Sequence, residues 1–158
     1  MDINTLYISL GGNCNFNCRY CMQHFGMTKH INTDSDFSAI SRFILEAIPK
    51  KIVLWGGEPL MYWEKITKIV PFLRGNLGYD LSINTITNGS LLTPDKVDFI
   101  NRYEIGVGLS NDGFATTETR YVDVLQNPQI LGLFRSIKSK GINMVLSAKT
   151  QDLYKIWE

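Results

Sequence analysis

Short apolar segments typical of β-strands alternate with amphipathic segments typical of helices along almost all of the 158 residues. Strands that are each followed by a helix pair in parallel, because the helix returns the chain to the same edge of the sheet. Five segments have the length and apolar character of strands: residues 6–10, 51–55, 80–86, 105–109 and 142–148. The sequence therefore predicts a single α/β domain built on a parallel sheet.

Four helices are predicted between these strands, at residues 36–48, 62–73, 93–102 and 127–140. Two of them begin with a capping side chain followed by proline, at Thr93-Pro94 and Asn127-Pro128. Gly141 is predicted to end the last of the four. Apolar residues at positions 153, 156 and 157 indicate the first turns of a further helix.

The composition is that of an ordinary globular domain, with 44% hydrophobic residues, 20% charged residues and a formal net charge of +1. The length allows one domain but not two. No basic stripe is present, so bulk binding of nucleic acid is not expected. No apolar run approaches the roughly 20 residues of a membrane span, and the first residues lack the pattern of a signal peptide. We therefore expect no membrane contact and a cytoplasmic protein.

All three cysteines of the chain, Cys14, Cys18 and Cys21, fall in one short loop directly after the first predicted strand. The C-x3-C-x2-C spacing clusters three soft thiolates, which select zinc or iron–sulfur clusters over hard cations. An odd, clustered set fits a metal site in a reducing compartment better than it fits disulfide bonds. Three thiolates leave one corner of a four-iron cluster open, and that iron would be free to take a ligand from outside the protein.

A zinc site is the alternative that these residues leave open. His24 follows closely enough for Cys14, Cys18, Cys21 and His24 to form a closed Cys3His site. The ligands of zinc fingers usually come in two separated pairs, whereas these four positions share one compressed loop. The spacing therefore favours an iron–sulfur cluster over zinc.

The other unusual polar segments also come directly after predicted strands. They are Gly56-Gly57-Glu58-Pro59, Thr87-Asn88-Gly89 and Ser110-Asn111-Asp112-Gly113. The carboxyl ends of parallel strands lie at one edge of the sheet, where α/β proteins bind their ligands. We therefore expect these segments and the cysteine loop to form one site.

The cysteine spacing together with Gly56-Gly57-Glu58-Pro59 resembles the radical S-adenosylmethionine (SAM) superfamily. The other two segments, with Arg120, are similar to one subgroup, the anaerobic sulfatase-maturating enzymes and related peptide-modifying proteins of the SPASM type. The resemblance runs from about residue 6 to 148. It implies a partial (β/α) TIM-like barrel with about five parallel strands and outer helices, open or incomplete, since a complete barrel needs about 250 residues.

Two cofactors are implied by this resemblance: a [4Fe-4S] cluster held by Cys14, Cys18 and Cys21, and SAM, which chelates the fourth iron. Gly56 and Gly57 would let backbone carbonyls approach the amino group of SAM.

The remaining members of the segments have implied roles around SAM. Glu58 would supply a carboxylate for its ammonium group, and Pro59 would stiffen the turn. Ser110 would contact the ribose, and Arg120 would grip the SAM carboxylate with two parallel hydrogen bonds. Tyr20 would lie near the adenine. Asn88 and Asp112 complete the predicted cofactor-binding set.

The reaction implied by the resemblance is reductive cleavage of SAM to a 5′-deoxyadenosyl radical, which abstracts hydrogen from a peptide or small-molecule substrate. An electron donor such as flavodoxin or ferredoxin is the implied partner. The chain, residues 1–158, is interpreted as a single core domain shortened at its C-terminal end, and its open sheet edges predict self-association. The alternative is a cluster- and SAM-binding remnant or regulatory fragment with little turnover. No residue stands out as a catalytic acid or base.

Overall fold

The computed structural model describes residues 3–22, 37–150 and 152. Its strands are β1 (Thr5–Ser9), β2 (Lys51–Trp55), β3 (Ser82–Thr87), β4 (Ile105–Ser110) and β5 (Lys140–Asn143). Its helices are α1 (Phe37–Ala47), α2 (Trp63–Leu77), α3 (Pro94–Arg102), α4 (Thr116–Arg120) and α5 (Pro128–Ser136). All five strands form one parallel sheet in the order β1-β2-β3-β4-β5, which confirms the predicted fold class.

One face of the sheet shares an apolar core with the helices. Successive side chains along a strand point to opposite faces, and Ile52, Leu54 and Ile83 are fully buried on one of them. These residues belong to the same core cluster as Ile66 and Val70 of α2. The outer helices therefore cover this face, as the alternating pattern predicts.

The opposite face of the sheet is partly uncovered in the described part of the chain. Tyr7, Trp55 and Ile86 lie on it, with exposed fractions of 64%, 40% and 38%. Within the same residues, β1 and β5 each pair with one neighbour only, so the sheet is open. The open sheet agrees with a barrel that is incomplete in these residues.

The fifth strand lies earlier in the chain than the sequence predicts. β5 precedes most of the predicted strand at residues 142–148. Gly141 pairs with Gly108 inside the sheet, so the prediction that it ends a helix is wrong. The helix α5 ends at Ser136, because Ile137 leaves the helical conformation, with φ −68° and ψ 130°. The side chain of Ile137 is then buried in the core, at 1% exposure.

Two helices also differ from the predictions. α4 lies where the sequence predicts no helix, and α2 extends to Leu77, beyond its predicted end at residue 73. The end of α2 is set by Gly78, whose φ of 71° is favourable for glycine and whose N–H donates to the carbonyl of Arg74 at 3.1 Å. The predicted further helix at residues 153–157 lies outside the described residues.

Among the described residues, no helix combines the length and the apolar character that a membrane span needs. The longest of these helices, α2, has 15 residues and contains Pro71. The location of the protein in the cell stays a prediction.

Arg74, near the end of α2, ties this helix to the segments that immediately precede β3 and β4. Its guanidinium donates to four backbone carbonyls, those of Gly78 (3.1 Å), Leu81 (2.6 Å), Tyr103 (2.9 Å) and Glu104 (3.2 Å). The residue is only 8% exposed. Removing the guanidinium would leave several carbonyl groups without this donor in a region that water barely reaches.

Replacing Arg74 with methionine is therefore expected to lower the free energy of unfolding by about 3 kcal/mol, as measured by urea denaturation. The matched control is Lys68→Met on the same helix, where an exposed ion pair with Glu64 should be worth less than about 1 kcal/mol. Equal losses in the two variants would contradict the role assigned to Arg74.

Candidate cofactor site

The predicted polar segments meet around one cavity at the carboxyl edge of the sheet. The cavity has a volume of about 190 Å³. The residues of the predicted site that line it are Cys14, Cys18, Tyr20, Cys21, Gly56, Gly57, Glu58, Asn88, Ser110 and Arg120. The structure thus brings together the cysteine loop and the segments after β2, β3 and β4.

Backbone hydrogen bonds join the cysteine loop to the glycine turn. The N–H of Gly57 donates to the carbonyl of Gly11 at 2.8 Å, and the N–H of Glu58 donates to the carbonyl of Asn13 at 2.9 Å. The loop follows β1 and the turn follows β2, so parallel pairing of these two strands sets the two segments side by side. The position of Cys14 is therefore fixed by the sheet.

This joint requires glycine because two backbone segments touch. A Cβ atom on Gly57 would lie 2.1 Å from the carbonyl oxygen of Asn13. One on Gly56, whose φ is 149°, would lie 2.3 Å from the carbonyl oxygen of Gly11. The glycines thus allow a close approach, as predicted, and the observed approach is to the cysteine loop.

The three thiols lie close enough together that neighbouring thiols contribute to the pKa values of Cys14 and Cys18. Burial raises the pKa of Cys14, and the charges of Glu58 and Cys21 raise it further. Burial also raises the pKa of Cys18, with smaller contributions from the other two thiols and an opposing one from Arg120. The Sγ atom of Cys14 accepts a hydrogen bond from the N–H of Phe16 at 3.4 Å.

The donor set fits a four-iron cluster with one iron left for another ligand. Three soft thiols line a single cavity, and each would bind a different iron. Among the described residues, no three side chains of histidine, cysteine, aspartate or glutamate are placed to hold a single metal ion. His24, the fourth ligand of the zinc alternative, lies outside the described residues.

Glu58 is 1% exposed, and protein donors surround its carboxylate. Oε1 accepts from the N–H of Leu60 at 2.9 Å and from the hydroxyl of Thr87 at 2.6 Å. Oε2 accepts from the N–H of Asn88 at 2.8 Å. The observed role of Glu58 is therefore to tie the glycine turn to the end of β3, whereas the motif predicts a contact with the ammonium group of SAM.

Asn88 continues this connection toward the cysteines. Its Nδ2 atom donates to Oδ1 of Asn15 at 2.9 Å and lies 4.0 Å from the Sγ atom of Cys14. Its Oδ1 atom accepts from the N–H of Ser90 at 3.0 Å. The side chain thus bridges the end of β3 and the cysteine loop.

Pro59 begins a short 3-10 helix, Pro59–Tyr62, in which Pro59 itself is buried. The hydroxyl oxygen of Tyr62 accepts a hydrogen bond from the N–H of Asn13 at 2.6 Å. The rigid turn predicted for Pro59 thus also supplies a side chain that holds the cysteine loop.

Asp112 accepts five hydrogen bonds and is 0% exposed. Its Oδ2 atom accepts from the hydroxyls of Tyr20 (2.6 Å) and Thr119 (2.7 Å) and from Nε of Arg120 (2.9 Å). Its Oδ1 atom accepts from Nη2 of Arg120 and from the N–H of Val145, both at 3.1 Å. Burial alone would raise the pKa of Asp112, but these hydrogen bonds outweigh burial and lower it.

Arg120 and Tyr20 line the cavity in front of Asp112. The guanidinium of Arg120 lies 5.3 Å from the centre of the Tyr20 ring. The motif places Asp112 among the residues that bind the cofactor, whereas the structure buries it behind these two side chains. The Asp112 carboxylate therefore faces hydrogen-bond donors of the protein, which come from the cysteine loop, α4 and the segment after β5, and it does not line the cavity.

Three further residues line the cavity that the motifs do not indicate: Phe16, Trp55 and Ile86. Trp55, the last residue of β2, is 40% exposed at the cavity. Strand alternation could have identified Trp55 and Ile86, since both lie on the face opposite the buried Leu54. The position of Phe16 in the loop gives no such signal.

The pKa of Glu58 leads to a prediction of pH dependence. Burial raises this pKa above the ordinary value of 4.5, and hydrogen bonds from Thr87, Asn88 and Leu60 offset burial only in part. Because the pKa is higher in the folded state, the stabilising contribution of this group is complete below the unfolded pKa and is lost as the pH rises through the folded pKa.

The free energy of unfolding of the wild-type protein, compared with that of Glu58→Gln, is therefore expected to fall as the pH rises above 4.5. Chemical denaturation of both proteins over a series of pH values measures this difference, and the glutamine variant serves as the reference without the titrating group. A difference that stays constant with pH, or that grows in favour of the wild type, would contradict the raised pKa.

A sequence profile described as the radical SAM superfamily matches residues 8–147. The radical SAM cyclopropyl synthase TigE of Paramaledivibacter caminithermalis is 23% identical over 129 residues, which cover 70% of this chain and 27% of TigE. The GTP 3′,8-cyclase of Pelotomaculum thermopropionicum is 31% identical over 143 residues, which cover 87% of this chain and 42% of the cyclase. The chain spans less than half the length of these relatives.

The solved structure of native anSMEcpe with bound AdoMet (SAM) and the Cp18Cys peptide has the same fold. It matches with a TM-score of 0.78 and 23% sequence identity, covering 98% of this chain and 46% of anSMEcpe. The superfamily match confirms the resemblance drawn from the motifs. It also confirms the predicted cofactors, since the superfamily uses a [4Fe-4S] cluster and SAM.

Proposed function

The chain belongs to the radical SAM superfamily, and we propose that it forms the core domain of a radical SAM enzyme. When bound, the cluster and SAM supply one-electron cleavage of SAM to a 5′-deoxyadenosyl radical that abstracts hydrogen from a substrate. One observation carries the proposal: three thiols, the glycine turn and Arg120 surround a single cavity. The chain's own part is to hold, orient and enclose these groups.

Cys14, Cys18 and Cys21 would hold three irons, and hydrogen bonds from neighbouring segments hold their loop on both sides. The glycine turn and Tyr62 both hydrogen-bond to Asn13, immediately before Cys14. On the other side, the N–H of Arg19 donates to the carbonyl of Thr119 at 2.9 Å. A loop held at both ends loses less conformational entropy when it binds a cluster.

The residues assigned to SAM lie on the rim beside the cysteines. Gly56 and Gly57 would offer backbone carbonyls to its amino group, and Ser110 would contact its ribose. Arg120 would bind the carboxylate of SAM through a charge-assisted pair of hydrogen bonds. Tyr20, whose ring lies under the guanidinium of Arg120, would flank the adenine.

The substrate is proposed to be a peptide or another small molecule. The likeness of fold to anSMEcpe, whose structure contains a peptide, supports a peptide, and the GTP 3′,8-cyclase relative supports a small molecule. The uncovered sheet face, with Trp55 and Ile86 at the cavity, is the surface that this substrate would meet. The electron would come from a donor such as flavodoxin or ferredoxin, and the open sheet edges would support self-association.

Anaerobic reconstitution with iron and sulfide, followed by dithionite reduction in the presence of SAM, tests the proposal. We expect a brown protein with about four irons per chain and the release of methionine and 5′-deoxyadenosine. Protein that binds neither iron nor sulfide under these conditions would refute the function. Iron binding without SAM cleavage would instead favour the remnant or regulatory fragment.

A further inference from the structure

We propose that Asp112 is a positioning residue that directs the guanidinium of Arg120 at the carboxylate of SAM. The inference rests on the proposed function, in which Arg120 contacts SAM. It assigns to Asp112 an action through Arg120 rather than a contact with the cofactor. The observation behind the inference is that the fully buried carboxylate of Asp112 is joined by two hydrogen bonds to Arg120, which lines the cavity.

The shape of the guanidinium group determines what this pairing leaves available. Arginine carries five N–H donors in a planar fork with two edges that can each bind a carboxylate. Asp112 occupies the edge formed by Nε and Nη2, at 2.9 and 3.1 Å. The edge formed by Nη1 and the second hydrogen of Nη2 is then the one directed away from Asp112.

Arg120 is itself held tightly in this orientation. Its side chain is 8% exposed, and that of Asp112 is 0% exposed. The Tyr20 ring packs against the guanidinium, and the Tyr20 hydroxyl also donates to Asp112 at 2.6 Å. Breaking the ion pair would therefore free both cavity-lining side chains to rotate.

The buried carboxylate also balances the charge of Arg120. A guanidinium in a poorly hydrated place is costly unless a negative charge is paired with it. Asp112 is the partner in the closest ion pair of Arg120 among the described residues. The pair allows the arginine to lie ready in the wall of the cavity before SAM arrives, and this preorganisation improves affinity.

The test compares SAM affinity in reconstituted wild-type protein and Asp112→Asn, measured by calorimetry and by the change that SAM causes in the spectrum of the reduced cluster. We expect Asp112→Asn to bind SAM about 10- to 100-fold more weakly while its iron content stays at the wild-type level. Asp123→Asn is the matched control, since Asp123 accepts from Asn111 and Leu125 and does not line the cavity. Its SAM affinity should be that of the wild type.

A second pair of variants separates positioning from direct contact and covers the case in which Asp112→Asn does not fold. In Asp112→Asn the buried charge of Arg120 loses its negative partner, which could prevent folding. Neither Arg120→Gln nor the double variant Asp112→Asn/Arg120→Gln contains this unpaired arginine. Equal SAM affinities in these two variants support action through Arg120, whereas a further loss in the double variant overturns it.

The two levels of the proposal fail differently. Wild-type protein that does not bind a cluster or SAM overturns the proposed function. Wild-type protein that cleaves SAM, together with an Asp112→Asn variant of unchanged SAM affinity, overturns only the role of Asp112.

Discussion

Replacing Cys18 with alanine is expected to abolish cleavage of SAM and to remove most of the bound iron after anaerobic reconstitution. Cys18 is one of three thiols at the cavity, and the two that remain would leave a second iron of a four-iron cluster without a protein ligand. Iron and sulfide analysis and assay of 5′-deoxyadenosine measure the two losses. The same result is expected for alanine at Cys14 or Cys21.

Two controls make this result specific. Met22→Ala alters an exposed residue directly beside Cys21, at 67% exposure, and should retain both iron and cleavage. His24→Ala should also retain the cluster, because the zinc alternative alone requires this histidine. Zinc in place of iron, lost from both the cysteine and the His24 variants, would contradict the iron–sulfur assignment.

Alanine at Gly57 is expected to separate the glycine turn from the cysteine loop. The added Cβ would meet the carbonyl oxygen of Asn13 at 2.1 Å, and a backbone atom cannot move aside as the end of a side chain can. We expect a loss of about 1–3 kcal/mol in unfolding free energy and a large fall in the iron retained by the reconstituted protein. Denaturation of the apoprotein and iron analysis measure the two effects.

Gly75→Ala is the matched control, since the same substitution is made where nothing lies within 4 Å of the added atom. Gly75 is inside α2, where alanine should stabilise the helix by about 1 kcal/mol and leave the iron content unchanged. Equal behaviour of the two alanine variants would show that the contact between turn and loop does not matter.

Local sequence signals are sufficient to predict where a helix begins when a capping side chain sets that boundary. α3 begins at Pro94, and the hydroxyl of Thr93 accepts from the N–H of Lys96, as the Thr93-Pro94 pair predicts. Such a cap depends only on residues three positions apart, so no tertiary contact is needed to recognise it. The first four strands likewise follow from short apolar runs, whereas β5 begins before the predicted run.

The end of the described chain shows why some boundaries were missed. Ile137 continues the helical spacing of apolar residues in α5, and glycine, the residue at position 141, often ends helices. The local pattern therefore predicts a longer α5. In the fold, Ile137 leaves the helix to enter the core, and Gly141 pairs with Gly108 of β4. Both outcomes depend on contacts between distant parts of the chain, which a local pattern does not contain.

The alternation of strands and helices, the cysteine spacing and the glycine turn were determined by the sequence itself, because apolar periodicity and motif spacing are properties of the chain. They place the cofactor site at the carboxyl edge of a parallel sheet. Only the tertiary structure decided where the two motif carboxylates point. Glu58 and Asp112 face Thr87 and Tyr20, donors 29 and 92 residues away, because the fold buries each carboxylate beside these distant hydroxyls as well as beside local donors.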